Sequence, residues 1–203
     1  MKLPREKYLT EDEYRRLLRV ARGRHHRNAK RDLALLAVAG LTGVRVGELV
    51  TIEVGGIHLD ETLPYVQIAR LKKRRPVTHE VSLTPTARLA ILRYLRTLSP
   101  EARATPTDRL FPISKHEAQM LFKSYARLAG LNPHYSIHAL RHYRGLTLYE
   151  ATRDLNLVKE ALGHSSIRST EVYLHTVDAS EKTARVDTEL DLSEDEAASD
   201  EEE

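Results

Sequence analysis

The sequence predicts a mainly α-helical chain with a small antiparallel β-sheet, an α+β arrangement. Three observations carry this. Apolar residues recur at helical spacing over most of the chain, and helix-start signals precede several of these stretches. Strict alternation is confined to the region between Ile57 and Leu83. A chain of 203 residues also fits one domain with a real core.

The elements follow in order. Thr10-Glu11-Asp12-Glu13 is a capping box, in which the hydroxyl and Glu13 satisfy free amides of a helix start. Tyr14, Leu17, Leu18 and Ala21 form the apolar face behind it. Arg22 to Arg27 is a basic loop, suited to phosphate or to plain solvation. A second helix spans about Asn28 to Leu41, is broken by Thr42-Gly43, and restarts briefly near Arg45. Tyr65 to Arg70 and Val77 to Leu83 alternate, giving a hairpin or three-stranded sheet whose tip, Leu71 to Pro76, carries four cations. Thr84-Pro85 starts a helix with apolar side Ala87, Leu89, Ile91, Leu92, Tyr94 and Leu95, stopped by Ser99-Pro100. Glu101 to Arg109 is a polar loop. Ser114 caps a helix ending at Gly130, whose Lys115, Lys123 and Arg127 suit a DNA groove or simply solvent. Ser136 leads into a helix carrying His138 and Arg141 as far as Glu150. Further helices are expected over Asp154 to Leu162 and Ala179 to Leu190, and Ile167 to His175 is expected to hold a short helix carrying Tyr173.

Composition bounds the chemistry. With no cysteine, disulfides, thiol catalysis and cysteine-based zinc sites are excluded. Histidines are plentiful, but no His-Glu-x-x-His occurs and no metal site is expected. Met1 to Glu6 lacks the apolar core of a leader, and no apolar run approaches membrane-spanning length. The net charge of +3 hides an asymmetry. From Asp187 onward stand ten acids and no base, so residues 1–186 hold 32 bases against 19 acids, a net of +13. A basic body suits a polyanion. The acidic run 187–203 is expected to be disordered, either as a solubilising tail or as a competitor of DNA for the basic surface.

One set of short motifs stands out by its order. Arg45 lies in Thr42-Gly43-Val44-Arg45-Val46-Gly47-Glu48, Lys72 on the hairpin tip, and His138-Ala139-Leu140-Arg141 on a helix. Gly163-His164 follows, with Tyr173 nine residues after the histidine. This order of Arg, Lys, His-x-x-Arg, Gly-His and Tyr resembles the tyrosine recombinase (phage integrase) family, and the resemblance covers roughly Thr10 to His175.

The resemblance implies breakage and rejoining of double-stranded DNA in site-specific recombination or integration. Tyr173 would attack the phosphate and become a 3′-phosphotyrosyl ester. Arg45 and Arg141 would clamp the nonbridging oxygens, where fixed, forked cations oppose the charge of the transition state. His138 and Arg141, three apart, share a helix face and can address one phosphate. His138 would handle the tyrosine proton, since a phenol with a pKa of about 10 is a poor nucleophile while protonated. His164 would hydrogen-bond the phosphate. Lys72, with Lys73 in reserve, would protonate the departing 5′ oxygen. Glu48 would hold Arg45, and His142 would serve packing. The ester keeps the bond energy, so no ATP, metal or other cofactor is implied.

Many relatives carry a helical DNA-clamping domain ahead of the catalytic domain, whereas Tyr8 to Glu13 looks like the start of the catalytic domain itself. The expected layout is a catalytic domain over 1–186 and a tail over 187–203, in a cytoplasmic, DNA-associated protein that self-associates as a dimer or tetramer on DNA. The rival readings are type IB topoisomerase-like relaxation, or a DNA-binding protein that has lost catalysis.

Overall fold

A computed structural model describes residues 2–72, 75–101 and 105–178, with the side chains of 70–77 set aside. The main helices and the strands follow in chain order: α1 (Glu11–Arg22), α2 (Ala29–Thr42), α3 (Val46–Leu49), β1 (Ile57–His58), β2 (Tyr65–Lys72), β3 (Arg75–Ser82), α4 (Pro85–Leu95), α5 (Lys115–Leu128), α6 (His138–Thr152), α7 (Leu155–Leu162) and α8 (171–178). Short 3-10 turns add Arg5–Lys7, Val54–Gly56 and Ile167–Ser169.

The helix starts form as their sequences dictate. Thr10 with Glu13, and Ser114 with Glu117, close reciprocal capping boxes. The Thr84 hydroxyl accepts from the Ala87 amide with Pro85 in the first turn, and Asp154 accepts from two amides of α7. The sheet is antiparallel in the order β1-β2-β3, with Val66 opposite Val81 and Lys72 opposite Arg75. Val66 and Ile68 point into the core while Tyr65 and Gln67 are half-buried, the period of two that the alternation predicted.

Helix α2 is the central post. Ten of its residues, from Ala29 to Thr42, are buried, and α1, α4 and α6 pack around it. Leu17, Leu35, Leu36, Ile68, Ile91, Phe111 and Phe122 belong to one large cluster. A second, smaller cluster joins α6, α7 and α8 through Leu146, Val158, Leu162, Tyr173 and Val177, and takes in Leu3 from the N-terminal segment. The Leu3 amide donates to the Thr176 hydroxyl at 2.9 Å, which ties that segment to α8.

Two expectations are corrected. The helix starting at Pro85 ends at Leu95, ahead of Ser99-Pro100, and residues 100–101, expected as the stop and as loop, are helical again. Leu89, assigned to the apolar side of α4, is 47% exposed, because α4 turns Ala87, Ala90, Ile91 and Tyr94 inward instead. The stretch from Ile167 to His175 holds a helix carrying Tyr173 as expected, α8, preceded by a 3-10 turn over Ile167–Ser169. The expected helix over Ala179 to Leu190 and the acidic run from Asp187 lie outside the described residues, as do Lys73 and Arg74.

Candidate active site

The site is assembled at the ends of helices. Gly43 terminates α2 with φ of 70°, a left-handed conformation that suits glycine, and a Cβ there would stand 2.6 Å from Leu162 Cδ2. Its carbonyl is thereby left pointing at α6. Arg141, one turn into α6 and buried, donates to that carbonyl at 2.6 Å and to the Leu162 carbonyl at 2.7 Å. One guanidinium therefore joins the C-terminal ends of α2 and α7, satisfying two carbonyls that helix geometry leaves unpaired.

Arg45 occupies the N-cap position of α3 and is more open, its side chain 44% exposed. Glu48 holds it in two ways. The carboxylate accepts from the Arg45 backbone amide at 3.0 Å and from its guanidinium at 3.2 Å. The expected Arg45–Glu48 pairing is therefore present. His138 opens α6 with its outer edge exposed. Desolvation, then the charges of Arg141 and Arg45, keeps its pKa below the ordinary histidine value.

Tyr173 lies on α8 and is 1% exposed. Its ring rests against Gly145 of α6, where a Cβ would come within 2.3 Å of Tyr173 Cζ, and runs nearly parallel to the His164 ring at 6.3 Å. Burial pushes the phenol pKa up to about 12, against an opposing pull from Arg141 and Arg45. His164 follows Gly163, the left-handed C-cap of α7, and its Nδ1 lies 3.0 Å from the Thr170 hydroxyl, which is fully buried. Thr170 thus orients the imidazole. Lys72 ends β2 at the hairpin tip opposite Arg75, and its side chain lies outside the described ones.

Arg45 and Arg141 lie within electrostatic reach of both His138 and Tyr173, and the His164 ring lies 6.3 Å from that of Tyr173. It differs from expectation over the tyrosine proton. His142, assigned to packing, is the residue whose Nδ1 lies 3.3 Å from the Tyr173 hydroxyl. His138 stands edge-on to His142 with ring centres 4.9 Å apart, and no hydrogen bond joins it to the tyrosine. The signal was in the sequence, since His138 and His142 are four apart and share a helix face.

His142 is held neutral. Burial, then the positive neighbours His138 and Arg141, lowers its pKa to about 4. The folded value lies below the unfolded value of about 6.5, so this group's contribution to stability is complete above about pH 6.5 and is lost as the pH falls through about 4. The difference corresponds to about 3 kcal/mol at most. We expect urea midpoints measured from pH 7.5 down to pH 4 to fall less in His142→Asn than in the parent. Parallel curves would remove His142 from the acid response.

The phage integrase family model matches residues 7–180. The chain belongs to this family. Similar proteins include the tyrosine recombinase XerD of Chlorobaculum tepidum, 34% identical over 179 residues, covering 82% of this chain and 56% of that protein. Another is XerD of Corynebacterium glutamicum, 29% identical over 151 residues, covering 71% of this chain and 48% of that one. The chain thus spans about half the length of the curated relatives it matches. Among solved structures, the XerH site-specific recombinase bound to a palindromic difH substrate superposes with a TM-score of 0.76 at 22% identity, over 89% of this chain and 53% of that one. The XerA recombinase superposes with a TM-score of 0.71 at 25% identity, over 89% and 62%. The fold of this phage integrase family member is accordingly that of the recombinases' catalytic part, mostly helical with a three-stranded antiparallel sheet.

Proposed function

We propose that this chain breaks and rejoins DNA strands through a 3′-phosphotyrosyl intermediate on Tyr173, in site-specific recombination or integration. The observation that carries the reading is the meeting of Tyr173 with Arg45, Arg141 and three histidines, in a chain of the phage integrase family. Relatives named tyrosine recombinases, and a structural neighbour bound to its DNA substrate, support it.

In this reading Arg45 and Arg141 take the two nonbridging oxygens and His164 adds a hydrogen bond. Tyr173 Oη bonds to phosphorus as the bond to the 5′ oxygen breaks, and Lys72 supplies that oxygen with a proton. The phenol proton passes to the His138–His142 pair. Reversal of these steps by a different 5′ hydroxyl completes strand exchange. The conformation described is a resting one. The Tyr173 hydroxyl is buried against His142, out of reach of a duplex phosphate. Helix α8 must therefore carry Tyr173 out of its pocket before a duplex phosphate can meet it.

Residues 1–186 form the catalytic domain in this proposal, with 187–203 as an appended acidic tail. Double-stranded DNA is the partner, and copies of the chain assemble on it as a dimer or tetramer. No described helix is long and apolar enough to cross a membrane. The proposed DNA partner is the ground on which we assign the protein to the cytoplasm, associated with DNA.

Nicked suicide duplexes drawn from the native flanking DNA test this. The parent is expected to form a denaturant-resistant protein–DNA adduct, and Tyr173→Phe none, with folding unchanged because the substitution removes only the hydroxyl that meets His142. An adduct surviving in Tyr173→Phe would move the nucleophile elsewhere. DNA binding with no adduct in either protein would favour a binding protein without catalysis. Relaxation of supercoils without recombinant product would favour topoisomerase-like activity.

A further inference from the structure

Residues 3–9 are anchored at their two ends in different parts of the core. Leu3 is buried in the cluster that holds Tyr173, Leu162 and Val177, with Tyr8 packed against the same cluster, while Leu9 is buried in the main one. The Leu3 amide donates to the Thr176 hydroxyl, which itself donates to the Val172 carbonyl at 2.6 Å, so the segment is bonded to α8 beside Tyr173. A cavity of about 250 Å³ lies next to this contact, lined by Tyr8 and Leu9, by Tyr143 and Leu146 of α6 and by Val177 of α8. Helix α8 has only eight residues. A helix that short is not stable by itself, so its place is set by what packs on it.

Between the anchors the chain turns over Arg5–Lys7, closed by the Lys7 amide donating to the Pro4 carbonyl at 2.9 Å, and this turn packs on α6. Arg5 fixes the turn. Its guanidinium donates to the Glu13 carboxylate at 2.7 Å, to the Tyr8 carbonyl at 2.8 Å and to the Tyr135 hydroxyl, which in turn donates to Glu13 at 3.0 Å. Tyr135 is buried and stands three residues ahead of His138, so one network joins the segment, the start of α1 and the approach to α6. Lys7 lies within electrostatic reach of His142, the residue that meets the Tyr173 hydroxyl. The segment therefore touches α8 directly and flanks the pocket from the side of α6.

We propose that residues 3–9 are a strap that positions Tyr173: Leu3 holds α8 against α6 through its packing and its bond to Thr176, and Arg5 keeps the strap in place through Glu13 and Tyr135. Leu3, Arg5 and Thr176 are positioning residues, since none of them meets the Tyr173 hydroxyl. Loosening the strap is what frees α8 to carry the tyrosine outward. Its importance for strand cleavage rests on the reading of Tyr173 as the nucleophile, whereas the hold on α8 is tested without DNA.

Amide hydrogen exchange of the full chain reads the hold on α8. Leu3→Ala and Thr176→Val are each expected to speed exchange of the α8 amides by about tenfold or more, the first by loss of packing and the second by leaving the Leu3 amide without its acceptor. Thr176→Ser, which keeps the hydroxyl, should restore the parent rate, and Arg5→Ala should give a smaller rise. Ile91→Val, in the main cluster, is the control: it lowers the stability of the whole domain without touching the strap, so α8 should keep the parent rate. Parent rates at α8 in Leu3→Ala and Thr176→Val would overturn the proposal. So would rates that follow overall urea stability in every variant, Ile91→Val included, since α8 would then open only with the whole domain. Trapping on suicide duplexes is the second readout, and the variants with a freed α8 are expected to form adduct several-fold faster than the parent. Adduct at the parent rate from a freed α8 would overturn the positioning role. A freed α8 with no adduct in any protein, the parent included, would count against Tyr173 as the nucleophile and leave the strap standing.

Discussion

Arg141→Met will cost about 3–5 kcal/mol of folding stability as well as all strand cleavage. The guanidinium makes two buried, charge-assisted hydrogen bonds, to the Gly43 and Leu162 carbonyls. Bonds of this kind are worth about 1.5–3 kcal/mol each, and a methionine of similar reach leaves both carbonyls buried and unsatisfied. Arg45→Ala offers the contrast. Its pair with Glu48 is exposed and worth at most about 1 kcal/mol, so that variant should fold almost as the parent does while losing the DNA adduct. Urea denaturation and suicide-duplex trapping on both variants separate the two. Equal stability losses would contradict the assignment of Arg141 as the joint between α2 and α7.

Gly145→Ala will dislodge the tyrosine. The new methyl would stand 2.3–2.7 Å from three atoms of the Tyr173 ring, and a rigid ring cannot bend away, so α8 or the ring must move. Overpacking of this sort costs about 1–3 kcal/mol. The expected readout is the phenol pKa, falling from about 12 toward the ordinary value as the hydroxyl gains water. Carbon-13 tyrosine NMR, with Tyr173→Phe to assign the resonance, measures it. If release of α8 limits the reaction, adduct formation should rise several-fold in the same variant. A phenol that still titrates near 12 would mean that the pocket had expanded around the ring.

Much of this architecture was legible in the sequence because it is local. Thr10 with Glu13 and Ser114 with Glu117 are four-residue patterns whose chemistry needs no distant partner, and both form. Alternation through Val66 and Ile68 announced the sheet for the same reason. What escaped depends on how elements sit against one another. Apolar spacing identified α4 as helical but could not say that α4 turns Ala90 rather than Leu89 toward the core. His142 was visible as a neighbour of His138 on one face of α6. Its meeting with the Tyr173 hydroxyl depends on where α8 crosses that face, which no spacing within α6 encodes. The burial of Tyr173 belongs to the same class. A nucleophile read from its motif carries no mark of whether its pocket is open, and that answer comes from Gly145, twenty-eight residues earlier.

The bond from the Leu3 amide to the Thr176 hydroxyl has a consequence for how the molecule is made. Its partners are 173 residues apart, and Leu3 lines the same cluster as Tyr173. On a ribosome, Leu3 must wait, without its partner, until α8 has emerged. The loop that has to close is nearly the whole domain, which makes this a late and slow contact. The tyrosine's chamber therefore closes late, once Leu3 and Thr176 have met.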